Sequence, residues 1–502
     1  MDPKPTVIEH FSRVAPKHRD LYYDGAWQKP HGGYRDTWSP STDENLGPCA
    51  EADAADVDAA VGAAGRAAKS WRNTRPTERA AMLKSAATVL VEHIDELAML
   101  DAINCGNPLT QLRGDIRAAA AMINFAAGLV TEVKGETVPT PGGIINLSLR
   151  EPYGVVGRLV AYNHPLLFVA AKMAPPLITG NAVIMKPPHQ APLSTYRFLE
   201  LIEGIFPPGI LNVLTADRPG SEALVVHPGV PRISLVGSVP TGRAVARLAA
   251  DRLKHTTLEL GGKNACIIYP DADVEQAARA AAEAMNLAWC GQSCGSISRL
   301  FLHEQIHDQA VGLLLKEIKR FEPALPVQEA TTMGCVVSRA QFEKVMGYIQ
   351  LGKEQGAKLA CGGRRPDDPA LAAGFFVEPT VFTDVCQDMR IANEEVFGPV
   401  LSVIAWNDEA EMLEQVNRVE YGLTASIWTK SLDCAHRAAG AVEAGYIWVN
   451  SAGAHSLGTN FGGYKQSGIG RENGLEELLS YTQQKNVNIT IGESAPRRAL
   501  VE

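Results

Sequence analysis

Between residues 54 and 100 apolar side chains recur at helical spacing, with Val57, Val61, Ala64, Ala68 and Trp71 on one face, and a second Ala-rich stretch follows at 111–134. Both predict amphipathic helices. Beyond residue 153 the pattern changes to short β-rich runs at 155–162, 182–186, 210–214, 233–236 and 257–260. Helical segments lie between them, at 165–179, 192–204, 219–227 and 241–253. Such alternation predicts a doubly wound parallel α/β sheet, because parallel neighbours need a crossover and a helix supplies it. The alternation restarts after residue 262, with a strand at 265–269, an Ala-rich helix over 273–288 and further pairs through 447–450. This is a second α/β domain. Two runs, 142–151 and 483–491, alternate like edge strands of neither sheet. Such edges either pair with another subunit or stand as exposed ribbon.

Composition narrows the class. A chain of 502 residues is too long for a single core and predicts two or three domains. With 46% hydrophobic and 21% charged residues it reads as an ordinary globular protein, which excludes disorder and fibrous repeats. Forty-seven Lys and Arg against 56 Asp and Glu leave a net charge of −9, without the basic stripe that a nucleic-acid partner requires. Nine cysteines, none in Cys-x-x-Cys spacing, suggest neither a disulfide framework nor a zinc ribbon and fit a reducing compartment. The first twenty residues are polar, unlike a signal peptide, and no window approaches the roughly 20 apolar residues of a membrane helix. A soluble, cytoplasmic protein without a membrane partner is expected.

Several segments could carry chemistry. His303-Glu304-Gln305-Ile306-His307 fits the zinc-protease pattern H-E-x-x-H, which needs both histidines one turn apart on a helix. Here residues 299–302 read as a strand running into His303, so the imidazoles do not share a face and no metal site is expected. Gly291-Gln292-Ser293-Cys294-Gly295 leaves one thiol among small residues, open to a substrate; a lone cysteine is more often a buried structural residue. Glu259 closes a strand beside Gly261 and Gly262, where a general base or a merely solvated acid could stand. Gly237-Ser238 ends a strand and opens a helix, offering N–H groups to a pyrophosphate, although a plain glycine turn has the same appearance. Lys186-Pro187-Pro188-His189 and Asn163-His164-Pro165 end two further strands. Ligands of open α/β sheets gather at such strand ends.

Together these segments resemble the aldehyde dehydrogenase superfamily over nearly the whole chain. The family's P-W-N-F-P motif corresponds to Ala161-Tyr162-Asn163-His164-Pro165, K-P-S-E to Lys186–His189, F-P-P-G to Phe206–Gly209 and G-S-x-x-x-G to Gly237–Gly242. E-L-G-G-K stands intact at 259–263, G-Q-x-C at 291–294, E-E-x-F-G-P at 394–399 and F-G-G-Y-K-x-S-G-x-G-R-E at 461–472.

The resemblance implies an aldehyde dehydrogenase-like α/β fold. It divides into a Rossmann-type NAD(P)-binding domain over 1–130 and 153–261, an α/β catalytic domain over 262–466, and a small β oligomerisation arm at 133–152 and 480–495. It further implies a homodimer or homotetramer that oxidises a small-molecule aldehyde to its acid with NAD or NADP. Cys294 would be the nucleophile, with Asn163 and the Cys294 N–H holding the oxyanion and Glu259 activating water. Lys172 and Glu472 would form a proton relay behind Glu259, or an ordinary structural ion pair. Tyr162, Lys186, His189, Gly237, Ser238, Glu395 and Phe397 would hold the cofactor.

The departures from the family pattern concern specificity. His189 replaces a glutamate that in many NAD-preferring members bonds the adenine ribose and repels a 2′-phosphate. NADP is therefore expected to be accepted, the more so if the imidazole is protonated. In the substrate tunnel His164 replaces Phe, and Ala171 and Ala452 stand where aromatics are common; Phe168 keeps its bulk and His455 lies nearby. Few aromatics argue against a quaternary-ammonium substrate and for a bulky or aromatic aldehyde. Glu259 favours hydrolysis over transfer to coenzyme A, and the presence of both Cys294 and Glu259 favours an enzyme over a non-catalytic structural relative.

Overall fold

A computed structural model of the protein describes residues 6–140 and 143–491; residue 142 and residues 492–495, expected in the arm, lie outside them. Five parallel strands, β1 (Val155–Leu159), β2 (Ala182–Lys186), β3 (Leu211–Val213), β4 (Arg232–Val236) and β5 (His255–Glu259), run in the order β3-β2-β1-β4-β5. The order reverses beside β1, so a crevice opens over the carboxyl ends of these strands. Leu21–Tyr23 and Ala26–Gln28 extend one edge, and Gly468–Ile469 pairs antiparallel to β5 on the other. β1 and β4 are buried at every position, which explains their near-continuous apolar runs. Arg158 is the exception within β1, fully buried in an apolar strand.

The second sheet contains β6 (Asn264–Ile268), β7 (Ile297–His303), β8 (Thr380–Thr383), β9 (Val400–Trp406), β10 (Thr424–Trp428) and β11 (Tyr446–Val449). These are parallel in the order β8-β9-β7-β6-β10-β11, with Lys358–Cys361 antiparallel at the β8 edge. A third, antiparallel sheet stands apart: Thr482–Thr490 pairs with Ile144–Pro152 over nine residues, and Thr137–Pro139 adds to it. These are the two runs assigned to neither domain.

Element boundaries differ from the sequence reading where local chemistry interrupts a periodic run. The stretch 54–100 is several helices, Ala54–Trp71, Pro76–Glu92 and Ile94–Cys105; Pro76 opens the second, where its missing N–H costs nothing. The strand expected over 155–162 stops at Leu159. The helix expected over 273–288 ends at Ala284, because Asn286 and Cys290 take left-handed conformations (φ 52° and 53°) on either side of a single turn at Leu287–Trp289. The chain is thereby turned back toward the first sheet just before Cys294. The strands Tyr34–Ser39 and Glu44–Ala50 carried no alternation strong enough to reveal them.

Candidate active site

The chain passes between the two sheets through Leu260–Lys263, and this crossing shapes the site. A Cβ on Gly261 would lie 2.2 Å from Glu395 Oε2, and one on Gly262 would lie 2.6 Å from the Cys294 carbonyl oxygen. Glycine is required at both because neighbouring groups touch the backbone itself. The Gly262 N–H donates to Glu395 Oε1 at 3.0 Å. Beyond the crossing, the Asn264 side-chain amide donates to the carbonyls of Cys294 (2.7 Å) and Ser296 (2.8 Å), while its Oδ1 accepts from the Thr424 N–H (3.1 Å). Asn264 thus ties the thiol-bearing loop to the first residues of β6 and β10. Gln292 adds a second tether, accepting from the Val337 N–H at 3.0 Å.

A cleft of about 740 Å³ opens over the carboxyl ends of β1, β2, β4 and β5. Asn163, Lys186, His189, Gly237, Ser238, Glu259, Cys294, Glu395 and Phe397 all line it, together with Tyr162. The residues drawn from separate motifs therefore converge. Ser238 caps the helix Val239–Ala250, its hydroxyl accepting from the Thr241 N–H at 3.4 Å, so the positive end of that helix faces the cleft. Tyr162 meets Phe397 edge-on at 5.9 Å, and Phe397 is held in a left-handed conformation (φ 55°).

Electrostatics within the cleft are set by burial. Burial, reinforced by Lys186 and Arg35, lowers the His189 imidazole to about 4. This corrects one expectation: His189 is neutral near pH 7 and does not attract a phosphate as a cation, since its cationic neighbours disfavour a further charge. Burial likewise lowers Lys186 to about 8, against the pull of Glu51 and Asp217. The Cys294 thiol is pushed up to about 12 by burial and by the carboxylates of Glu259 and Glu395.

Glu259 is 5% exposed, and neither of its carboxyl oxygens has a hydrogen-bond partner among the described residues. Burial, and then the charge of Glu472, raise it well above the usual carboxyl range, while Lys172 opposes them. Behind it Lys172 meets Glu472 at 2.7 Å and donates to Asn473 Oδ1 at 3.0 Å. Arg158 also binds Glu472, donates to Ser234 at 2.7 Å and to the Tyr481 hydroxyl, and stands 3.7 Å from Glu477. Burial opposes ionisation of Glu472, but Arg158 and Lys172 outweigh it and hold that carboxyl at about 2. Two buried cations thus face two carboxylates, and Glu259 is left as a fifth group with no cation of its own.

The tunnel residues are only partly gathered. His164 stands against Phe168 (5.3 Å, edge-on) and Trp289 (5.2 Å), and its Nδ1 lies 2.7 Å from Asp115 Oδ2. His455 sits among Tyr446, Trp448 and Phe461, its imidazole lowered by burial and by His164. Ala171 is buried at the edge of a separate small depression shared with Met122, Phe125 and Leu457, and Ala452 packs on the core of the second sheet. His303 ends β7 and His307 begins the next helix after an intervening turn, so the H-E-x-x-H run has neither histidine paired on a helix face. Among the described residues no cluster of three or more potential metal ligands occurs.

The sequence reading missed Asn264, Arg158, Glu477, Tyr481, Asp115 and Asn107, whose amide donates to the Asn163 carbonyl at 2.8 Å. Arg158 could have been found, because a charge inside an apolar parallel strand needs a buried partner. Asp115, on the helix Leu109–Gly128 far from any motif, left no such signal.

Two parallel sheets, the strand-end cleft at their junction and a thiol turned into it define an oxidoreductase of mixed α/β fold. The profile of the Aldehyde dehydrogenase family matches residues 27–487. The aldehyde dehydrogenase tropH of Talaromyces stipitatus is 46% identical over 485 residues, spanning 95% of this chain and 94% of its own. A putative aldehyde dehydrogenase from Burkholderia cenocepacia superposes with a TM-score of 0.93 at 36% identity, covering 95% of this chain and 99% of its own. The NAD+ complex of aldehyde dehydrogenase from Bacillus cereus superposes with a TM-score of 0.92 at 36% identity, covering 98% and 100%. The chain belongs to the aldehyde dehydrogenase family.

Proposed function

We propose that the protein oxidises an aldehyde to its carboxylic acid with NAD or NADP, through a thiohemiacetal and then a thioester on Cys294. One observation carries the reading: the buried, unpartnered carboxyl of Glu259 lines the same cleft as Cys294 and Asn163. A carboxyl left without hydrogen bonds in so enclosed a place is costly unless it has a proton to move. The Cys294 thiolate adds to the aldehyde carbon, and the Asn163 amide and Cys294 N–H answer the charge that appears on oxygen, each donor lowering the barrier by about 3 kcal/mol. A nicotinamide dinucleotide, when bound, supplies the acceptor for the hydride. Glu259 then takes the proton of the water that hydrolyses the thioester, which favours water over coenzyme A as acyl acceptor. Lys172 and Glu472 act behind it as the relay, their ion pair fixing the field in which Glu259 titrates.

The cleft suits a dinucleotide. The positive end of the helix after Ser238 faces it, Lys186 and His189 stand at one end, and Glu395 and Phe397 stand at the end that holds Cys294. NAD use is supported by likeness to the Bacillus cereus protein, whose structure holds NAD+. NADP is accepted as well in this reading, through the missing carboxylate at 189 rather than through attraction by a neutral imidazole. The domains divide as the sheets do, the first binding cofactor and the second carrying catalysis. The separate antiparallel sheet exposes Val138, Ile145, Leu149 and Ile489, an apolar surface suited to assembly into a homodimer or homotetramer. The free thiol that the chemistry requires fits a reducing, cytoplasmic setting. The aromatic and imidazole groups around His164 suit a bulky or aromatic aldehyde.

Rapid mixing with aldehyde and cofactor tests the mechanism. Cys294→Ala should form no reduced cofactor. Glu259→Gln should give one burst of it and then stall about 10²-fold or more below wild type, with an acyl adduct on Cys294 visible by mass spectrometry. A Glu259→Gln steady-state rate within about threefold of wild type would overturn the assignment of the base.

A further inference from the structure

The pairing of His164 with Asp115 has no part in the chemistry above. Asp115 Oδ2 lies 2.7 Å from His164 Nδ1, and both side chains are mostly enclosed, 12% and 19% exposed. An ionised carboxylate can only accept, so Nδ1 carries the hydrogen and the tautomer is fixed. The other ring nitrogen, Nε2, makes no hydrogen bond to any described residue. Asp101 secures the turn that carries the ring, accepting from the Leu166 N–H at 3.3 Å. The walls around the imidazole are the edge of Phe168 and the indole of Trp289, whose own N–H is buried without an acceptor. His164 directly follows Asn163, which lines the cleft with Cys294.

Such a site has a definite preference. Neutral, His164 presents Nε2 as an acceptor; protonated, it presents a donor, and Asp115 then cancels its charge. A hydroxyl satisfies either state, because it both donates and accepts. A carboxylate satisfies only the protonated state and gains no net charge attraction from the pair. An unsubstituted hydrocarbon leaves Nε2 unanswered, which costs affinity when water is displaced. Flat aromatic walls select a flat ring. We propose that His164, oriented by Asp115, is a specificity-determining residue and that the aldehyde it selects carries a hydroxyl group on an aromatic ring. The inference rests on the aldehyde oxidation proposed above and names its substrate class.

The test compares 2-, 3- and 4-hydroxybenzaldehyde with benzaldehyde and 4-carboxybenzaldehyde, in wild type, His164→Phe and Asp115→Asn. For the best hydroxylated isomer kcat/KM should exceed that for benzaldehyde by about 10- to 100-fold in wild type. That ratio should fall to within about threefold of unity in His164→Phe and to an intermediate value in Asp115→Asn. Equilibrium binding of the same aldehydes to Cys294→Ala, alone and combined with His164→Phe, gives a readout that needs no turnover and should show the same loss of preference. If His164→Phe does not fold, His164→Leu is measured in its place. A ratio near unity in wild type, an unchanged ratio in the His164 variant, or a stronger preference for 4-carboxybenzaldehyde would overturn the inference. Silence of wild type toward every aldehyde would instead overturn the oxidation reading, and the binding preference of the Cys294→Ala protein would still decide the role of His164.

Discussion

Asn264 offers the sharpest probe of how the nucleophile is positioned. Its side chain makes three hydrogen bonds, to the carbonyls of Cys294 and Ser296 and from the N–H of Thr424. Asn264→Ala removes all of these and leaves two carbonyls and one N–H without partners in a buried crossing between the sheets. At about 1–2 kcal/mol for each orphaned group, the variant should lose about 3–6 kcal/mol of local stability. The functional loss has a separate origin. The Cys294 carbonyl is no longer held against β6, and a displacement of the thiol by about 1 Å lowers a positioned reaction by about 10²-fold. Lys186 and Ser238 lie elsewhere in the cleft, so cofactor affinity should change little. Steady-state kinetics, cofactor titration by fluorescence and a urea midpoint separate these effects. Asn264→Asp keeps the acceptor for Thr424 but turns a carboxylate oxygen toward two carbonyls, and it should be at least as damaging as Ala. A kcat within about threefold of wild type in Asn264→Ala, with the protein folded, would refute the clamp.

Other consequences can be measured directly. Burial and the neighbouring carboxylates hold Cys294 at about 12, and burial keeps Glu259 protonated beyond the usual range; the reactive form of each is the deprotonated one. Alkylation of Cys294 by iodoacetamide in the cofactor-free protein should therefore be slow near neutrality and rise about tenfold per pH unit, and a rate independent of pH between about 6 and 9 would contradict this. Because His189 is neutral, His189→Glu adds a charge where none stood, and it should depress kcat/KM for NADP relative to NAD by about tenfold or more. An unchanged cofactor ratio would place the 2′-phosphate elsewhere. Gly262→Ala forces a methyl group to 2.6 Å from the Cys294 carbonyl oxygen, so the loop must shift. It should cost about 1–3 kcal/mol and most of the activity, with wild-type kinetics as the contrary result.

The order of motifs along the chain was enough to name the family and to place Cys294, Glu259 and Asn163 in one cleft. The reason is local. A strand end, a glycine that admits a close neighbour and a capping serine each need particular residue types within a few positions, and those types are visible in one dimension. The parallel sheets were legible for the same reason, since fully buried strands read as apolar runs between amphipathic helices. Tertiary structure alone decided what surrounds the motifs. Asp115 reaches His164 from a helix nearly fifty residues earlier, and Arg158 meets Glu472 from across more than three hundred. No spacing rule links such pairs, and whether a charge is solvated or buried is settled only when distant segments close over it. That closure makes His189 neutral and leaves Glu259 without a partner. Sequence fixes which groups are present, while packing fixes their dielectric surroundings, and the protonation states on which this chemistry depends follow from the second.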